Sequence, residues 1–496
     1  MTGRALLFAV AMLAVSDACR GALAMDVRRE ALDLGGKWET LVDHQTAEAC
    51  DPAVAAELGP WKIVDLPGLL IPDVAQKDQE DIKCVWAQRE FALDRVRASR
   101  GVALRWNGIR FGFAIWINGQ KVAERDVAAP SYCLLPAGLV KEGTNRIVVR
   151  ATGWGGVARG RSGFPLAPFG ASNTQSWGGK GAGFSDIWLE FYDGVYVKSA
   201  LAMPDLQARK VTLRLLFDAS GALPGEVAVK AEVALAAAPG ANPSVAKRGV
   251  NLDKANSVDL DVPIDNPRVW TPETPTLYVA KVSVSKDGKP CDIAEFRFGM
   301  REAAVADGRY RLNGQPLWLR GSNLVGEWNW GGPQAAEPKR YLVDEARLMN
   351  LNSFRTHAGP PNTEWSDIAD EHGMLFLAEL PVLMNTFNLN FTAAEWEVWH
   401  ANVLATAEGW ITKLWNHPSI YQWVLSNESG CDNAWEAGDY YRFVKALDPT
   451  RPAMRASGGG GTPDTVDIHT CSNTRQGADG WAVDRVVREA AKRDPK

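Results

Sequence analysis

From residue 301 to the end of the chain, short apolar runs alternate with helical stretches, and no other feature constrains the fold as strongly. Residues 317–323, 353–357 and 375–380 read as strands. Helices are predicted over 340–349 and 364–372, the second stopped by Gly373. Trp396, Val403, Ala407, Trp410 and Leu414 recur at helical spacing, so a third helix has one apolar face. Pro418 breaks it into a fourth strand. A helix over 442–447 follows, and residues 454–457 and 466–470 read as fifth and sixth strands. Such alternation requires a parallel sheet, and its regularity favours closure into a (β/α)₈ barrel.

Reactive groups of such barrels sit at the carboxyl ends of the strands. The fourth strand lies within Asn416-His417-Pro418-Ser419-Ile420-Tyr421-Gln422-Trp423-Val424-Leu425-Ser426-Asn427-Glu428, which ends on a carboxylic acid with an amide beside it. A lone Glu in that position suits a general acid. Neighbours on an ideal strand face opposite ways, so both reach one ligand only if the strand ends or bulges there. The structural alternative is an Asn-Glu pair that closes the strand and caps the next helix.

The chain is 496 residues long, enough for several domains, and the segments before residue 301 read differently. Residues 102–106, 114–117, 145–150 and 186–190 are short β-prone runs, and Asn118-Gly119 is a strong hairpin-turn dipeptide. Residues 25–195 are therefore expected to form one β-sandwich and 196–300 a second, in which residues 211–215 alternate in the period-2 manner of a strand. Arg4, the apolar stretch 5–15 and Ala22-Leu23-Ala24 have the layout of a signal peptide over residues 1–24. That layout implies export to the periplasm or the extracellular space. The apolar stretch is too short to span a bilayer. An N-terminal anchor, or a lipoprotein acylated at Cys19, is the alternative.

Net charge of −5 and the lack of a basic stripe argue against nucleic acid as a partner. The seven cysteines lack the close spacing of zinc or redox sites, and the histidines lack helical metal-ligand spacing, so no metal is expected. Gly458–Gly461 is not followed by Lys-Ser or Lys-Thr and is not a phosphate loop.

The run from Asn416 to Glu428 closely resembles the acid/base motif of glycoside hydrolase family 2, the β-galactosidases, β-glucuronidases and β-mannosidases. Ile115-Trp116-Ile117-Asn118-Gly119-Gln120-Lys121-Val122 and Gly183-Phe184-Ser185-Asp186-Ile187-Trp188-Leu189 resemble that family's sugar-binding jelly roll. Residues 270–301 resemble its immunoglobulin-like domain. The resemblance implies jelly roll, immunoglobulin-like sandwich and barrel over 25–195, 196–300 and 301–496. It also implies a retaining glycosidase acting on β-glycosides or oligosaccharides, with no cofactor.

Glu428 is then the acid/base, and Asn427 holds the sugar 2-hydroxyl. Asn352-Ser353-Phe354-Arg355-Thr356-His357 resembles the second-strand motif, in which the Arg braces the catalytic carboxylates. Arg320-Gly321-Ser322-Asn323 resembles the first-strand motif, but Val325-Gly326-Glu327 replaces the His common after it. His357, Asn323, Glu379 and His469 are candidate substrate contacts. Trp328, Trp330, Trp423, Trp435 and Trp481 are candidate stacking platforms, although most Trp residues are core.

Retaining cleavage needs a second carboxylate about 5–5.5 Å from the first. The family places it at the end of a seventh strand. Residues 301–496 are fewer than the roughly 250 of a typical barrel, and Lys492-Arg493-Asp494-Pro495-Lys496 looks like the approach to that strand. The nucleophile is thus unassigned, and the chain reads as a fragment or a naturally incomplete relative. A non-catalytic exported carbohydrate-binding protein is the rival reading.

Overall fold

The computed structural model describes residues 28–43, 59–74, 76–168, 181–223, 225–324, 336–357, 359–382, 390–426, 439–454 and 464. The expected signal peptide and the strand expected over 466–470 lie outside them. No helix of the described residues is long and apolar enough to cross a membrane.

Two β-sandwiches come first. A four-stranded sheet built on Ile187–Tyr192 and Gly101–Trp106 faces a six-stranded one centred on Cys84–Leu93 and Gly143–Thr152. Alternate side chains of both, such as Val85, Leu104, Ile115, Val149 and Leu189, fill the space between them. The Asn118-Gly119 turn joins Phe113–Ile117 to Gln120–Arg125 as expected. Both residues have positive φ, 48° and 86°, which suits the twist of the flanking strands. The second sandwich packs the sheet of Tyr196–Asp205, Lys210–Asp218 and Ser257–Pro263 against four strands ending at Lys289–Phe298.

The third region is a parallel sheet of five strands in sequential order. They are β1 (Gly321–Leu324), β2 (Ser353–Thr356), β3 (Leu375–Glu379), β4 (Ile420–Val424) and β5 (Ala453–Met454). Helices α1 (Ala336–Leu348), α2 (Thr363–His372), α3 (Ala393–Leu414) and α4 (Tyr441–Leu447) alternate with them. Gly373 ends α2 at φ 71°, and a Cβ there would lie 2.0 Å from the Pro272 carbonyl oxygen, so glycine is required twice over. Thr392 and Glu395 form a reciprocal capping box at the start of α3. Val403, Ala407, Trp410 and Leu414 are buried as the spacing predicts.

One strand starts later than the sequence suggests. Gln315–Pro316 still belongs to an antiparallel meander, and the Leu317 amide donates to the Tyr310 carbonyl, so β1 begins only at Gly321. The meander closes off the foot of the parallel sheet. Tyr310 sends its hydroxyl to Gln422 Oε1 at 3.0 Å. Burial raises that hydroxyl well above the ordinary tyrosine range, so it stays a donor.

Candidate active site

Side chains alternate along each strand, and this sorts the parallel sheet into two faces. Phe354, Phe376, Ala378 and Trp423 join the core shared with the helices. Leu377, Val424 and Met454 form a separate apolar layer on the other face. Arg355 is level with Leu377 in the β2–β3 register, and Glu379 lies two residues farther along the same face. A charged layer therefore shares this face with the apolar one, at the carboxyl ends of β2 and β3.

Arg355 and Glu379 make that layer. Arg355 Nε donates to Glu379 Oε2 at 2.7 Å, and a terminal nitrogen reaches the same oxygen at 2.5 Å. The Glu379 side chain is wholly buried, while Arg355 keeps partial exposure. The Glu379 amide donates to Thr356 Oγ1 at 3.1 Å, which ties the ends of β2 and β3 together. A carboxylate taken out of water needs such partners, since an unpaired buried charge is costly. Arg355 thus braces a carboxylate, and that carboxylate is Glu379.

Two other candidates, Asn323 and His357, occupy the same rim. Asn323, level with Arg355 across β1–β2, is exposed. His357 is half-buried, and its amide donates to the Leu324 carbonyl at 3.1 Å, extending the pairing by one residue. β4 ends at Val424, and the Leu425 amide donates to the Met454 carbonyl at 2.7 Å. Asn427, Glu428 and His469 lie outside the described residues, as do Trp328, Trp330, Trp435 and Trp481. Trp423 is no platform. It is fully buried and its indole N–H donates to Asp448 Oδ2 at 2.8 Å, because its alternation places it on the helix side.

Thr356, which links β2 to β3, was not singled out from the sequence. Its position between Arg355 and His357 in a strand-end motif was the available signal.

Among the described residues one trio has metal-ligand geometry, with ligating atoms of Asp367, Asp370 and His417 all within 4.8 Å of one another. Protein donors already hold these atoms. His417 Nδ1 and the Ser419 amide lie 2.7 Å and 3.0 Å from the two Asp370 oxygens, and Arg297 meets Asp367 at 2.5 Å. The trio sits at the foot of β4, remote from the rim, and reads as a structural knot.

Comparison with known proteins agrees with this architecture. The family described as "Glycosyl hydrolases family 2, TIM barrel domain" matches residues 303–478, and "Glycosyl hydrolases family 2" matches 194–301. A β-galactosidase of Leuconostoc mesenteroides is 30% identical over 228 residues, covering 45% of this chain and 21% of that protein. A putative β-glucuronidase of Formosa agariphila is 26% identical over 401 residues, covering 77% of this chain and 35% of that protein. The chain therefore spans about a third or less of the length of these relatives. The β-glucuronidase of Ruminococcus gnavus in complex with uronic isofagomine has the same fold. Its TM-score is 0.67 at 20% identity, over 86% of this chain and 73% of that one. The two family matches together take in more than half of the sequence, and the chain belongs to glycoside hydrolase family 2.

Proposed function

We propose that this chain carries the sugar-binding and acid/base parts of a retaining β-glycosidase. The observation that carries this reading is the convergence of strand ends. Asn323, His357 and the Arg355–Glu379 pair share one rim with β4, whose continuation reaches Asn427-Glu428 within four residues of Val424.

Glu428 is the general acid. It gives its proton to the glycosidic oxygen as the bond to the anomeric carbon breaks, and then, as a base, takes a proton from the water that releases the sugar. Asn427 donates to the 2-hydroxyl, a hydrogen bond that strengthens as positive charge develops at the anomeric centre. Arg355 fixes Glu379 so that its carboxylate presents one orientation to the cleft, and Asn323, His357 and His469 supply hydroxyl contacts. The second carboxylate of the double displacement is not assigned to any residue here.

In this reading residues 25–195 form a jelly roll, 196–300 an immunoglobulin-like sandwich and 301–496 the barrel portion. Residues 1–24 direct export to the periplasm or beyond. The relatives named β-galactosidase and β-glucuronidase support β-glycosides as the substrate class.

The test is stereochemical. The protein is incubated with nitrophenyl β-galactoside and β-glucuronide, and the first-formed anomer is followed by proton NMR. Release of the β-anomer first agrees with the proposal. First release of the α-anomer, or no turnover of any β-glycoside by the full-length protein, contradicts it.

A further inference from the structure

The first sandwich meets the parallel sheet along α3. The last turn of α3 leads through Pro418 into the start of β4, so that end lies at the foot. There a Cβ on Gly409 would lie 2.4 Å from the Pro130 carbonyl oxygen, and the Lys413 ammonium donates to Asn107 Oδ1 at 2.5 Å. Nearer the middle of α3, Asn402 Nδ2 donates to the Leu166 carbonyl at 2.8 Å. In a parallel βα unit the helix starts at the end where the strand stops. The first turn of α3 therefore lies at the same end of the sheet as Glu379.

Residues 158–166 of the first sandwich reach that end as a hairpin. Arg159 bridges to Pro165, and the Gly160 amide donates to the Phe164 carbonyl at 2.9 Å. The Gly163 amide returns to the Gly160 carbonyl at 2.8 Å, and Gly163, at φ 80°, closes a turn with Arg161 and Ser162 at its tip. The Arg159 guanidinium lies over the Trp154 ring at 4.7 Å and donates to the Gly163 carbonyl at 2.9 Å. The hairpin is thus held from within.

Its tip turns its donors to the entry of α3. The Arg161 amide donates to Glu395 Oε1 at 2.7 Å. Arg161 Nε donates to the Asn390 carbonyl at 2.5 Å, and Nη2 to Asn390 Oδ1 at 2.7 Å. A planar guanidinium holds two acceptors of one residue at once, which a single ammonium does less well. Asn390 has φ 43°, a left-handed conformation that asparagine tolerates, and Arg161 is its hydrogen-bond partner among the described residues. Glu395 takes the Thr392 amide on its other oxygen at 2.7 Å. That amide first, and the Arg161 amide after it, hold the Glu395 carboxyl below its ordinary range. Beside them a Cβ on Gly160 would lie 2.6 Å from two atoms of the buried Phe391 ring, so glycine is needed for the close approach.

Asn390 and Phe391 end the connection that leaves the rim at Glu379, and such connections on the carboxyl face build the substrate site of a barrel. We propose that Arg161 is a positioning residue for that face: it fixes the segment through which the chain enters α3 and so couples the first sandwich to substrate binding. The proposal rests on the reading of the strand ends as the catalytic rim. Arg161 is exposed, and exposed polar contacts add little to global stability, so its effect is local.

Hydrogen exchange read by mass spectrometry, with steady-state kinetics of the full-length protein on a nitrophenyl β-glycoside, tests it. In Arg161→Ala, residues 390–396 should exchange about fivefold faster while residues 403–414 keep the wild-type rate. KM should rise about fivefold with kcat within about twofold, the pattern of a lost binding contribution. Arg161→Lys, which can hold one acceptor, should fall between wild type and Arg161→Ala in both readouts. Unchanged exchange in Arg161→Ala, or faster exchange over the whole of α3, would overturn the clamp. Faster exchange at 390–396 with unchanged KM would overturn its link to substrate. Absence of turnover in the wild type would contradict the catalytic reading of the rim, and the exchange measurement would still decide the clamp.

Discussion

At the foot of the parallel strands, Arg301, Asp370, Asp448 and Arg451 are each 4% exposed or less, yet all are bonded. Arg451 pairs with Asp448 and donates to the Ile420 and His417 carbonyls. Arg301 donates to the Pro418, Ile420 and Thr450 carbonyls, and burial, with Arg451 nearby, pushes its guanidinium down to about 9. At the carboxyl rim, Asn323 lies in solvent, His357 is half-buried, and the buried Glu379 faces a partly exposed Arg355. Both ends hold ionised groups out of water. The foot directs its two guanidinium groups onto backbone carbonyls and the Asp448 carboxylate, which fixes the geometry of the strand starts. The rim leaves Asn323 in solvent, where a ligand can reach it. In barrels of this kind the foot serves stability and the rim chemistry.

The largest effect should follow from breaking the foot. Arg451→Met strands the buried Asp448 carboxylate and should cost about 3–5 kcal/mol of stability, measured by urea unfolding. A loss below about 1 kcal/mol would mean that the foot is not what holds β4 and β5.

The rim should respond in rate instead. Arg355→Ala is expected to lower kcat about a hundredfold in the active enzyme with little change in KM, the effect of a misplaced catalytic group. A rise in KM at constant kcat would make Arg355 a simple binding residue.

A smaller effect separates the ends by pH. Burial pushes the Asp448 carboxyl up, but Arg451, Thr450 and Trp423 outweigh it and hold it below its ordinary 3.8. A depressed folded-state value stabilises the native state above the unfolded value, and that stabilisation is lost as pH falls through the folded one. The stability gap between the wild type and Asp448→Asn should therefore be constant above roughly pH 5 and close below about pH 4. A gap that persists at lower pH would remove the charge of Asp448 from the account.

Local chemistry made much of this architecture legible. Asn118-Gly119 announced a hairpin because both positions need positive φ, and Gly373 announced the end of α2 for the same reason. The apolar stripe from Val403 to Leu414 gave the buried face of α3, and the Arg355 motif placed a carboxylate partner at the strand ends. What the sequence hid is long-range. Arg301 reads as an ordinary residue closing a sandwich, yet its partners lie more than a hundred positions away. Lys413, near the end of α3, is buried against Asn107, a partner 306 positions away in the first sandwich. The late start of β1 depended on the Leu317 amide choosing Tyr310, and no periodicity encodes that choice.

The most direct measurement compares leaving groups. In full-length enzyme, Glu428→Gln removes the proton donor without changing the shape of the side chain. Turnover of an alkyl β-glycoside should fall by about 10²–10⁴-fold, while a dinitrophenyl glycoside, whose leaving group needs no proton, should lose far less. Equal losses on both substrates, or full activity on the alkyl glycoside, would contradict the assignment of Glu428 as the acid.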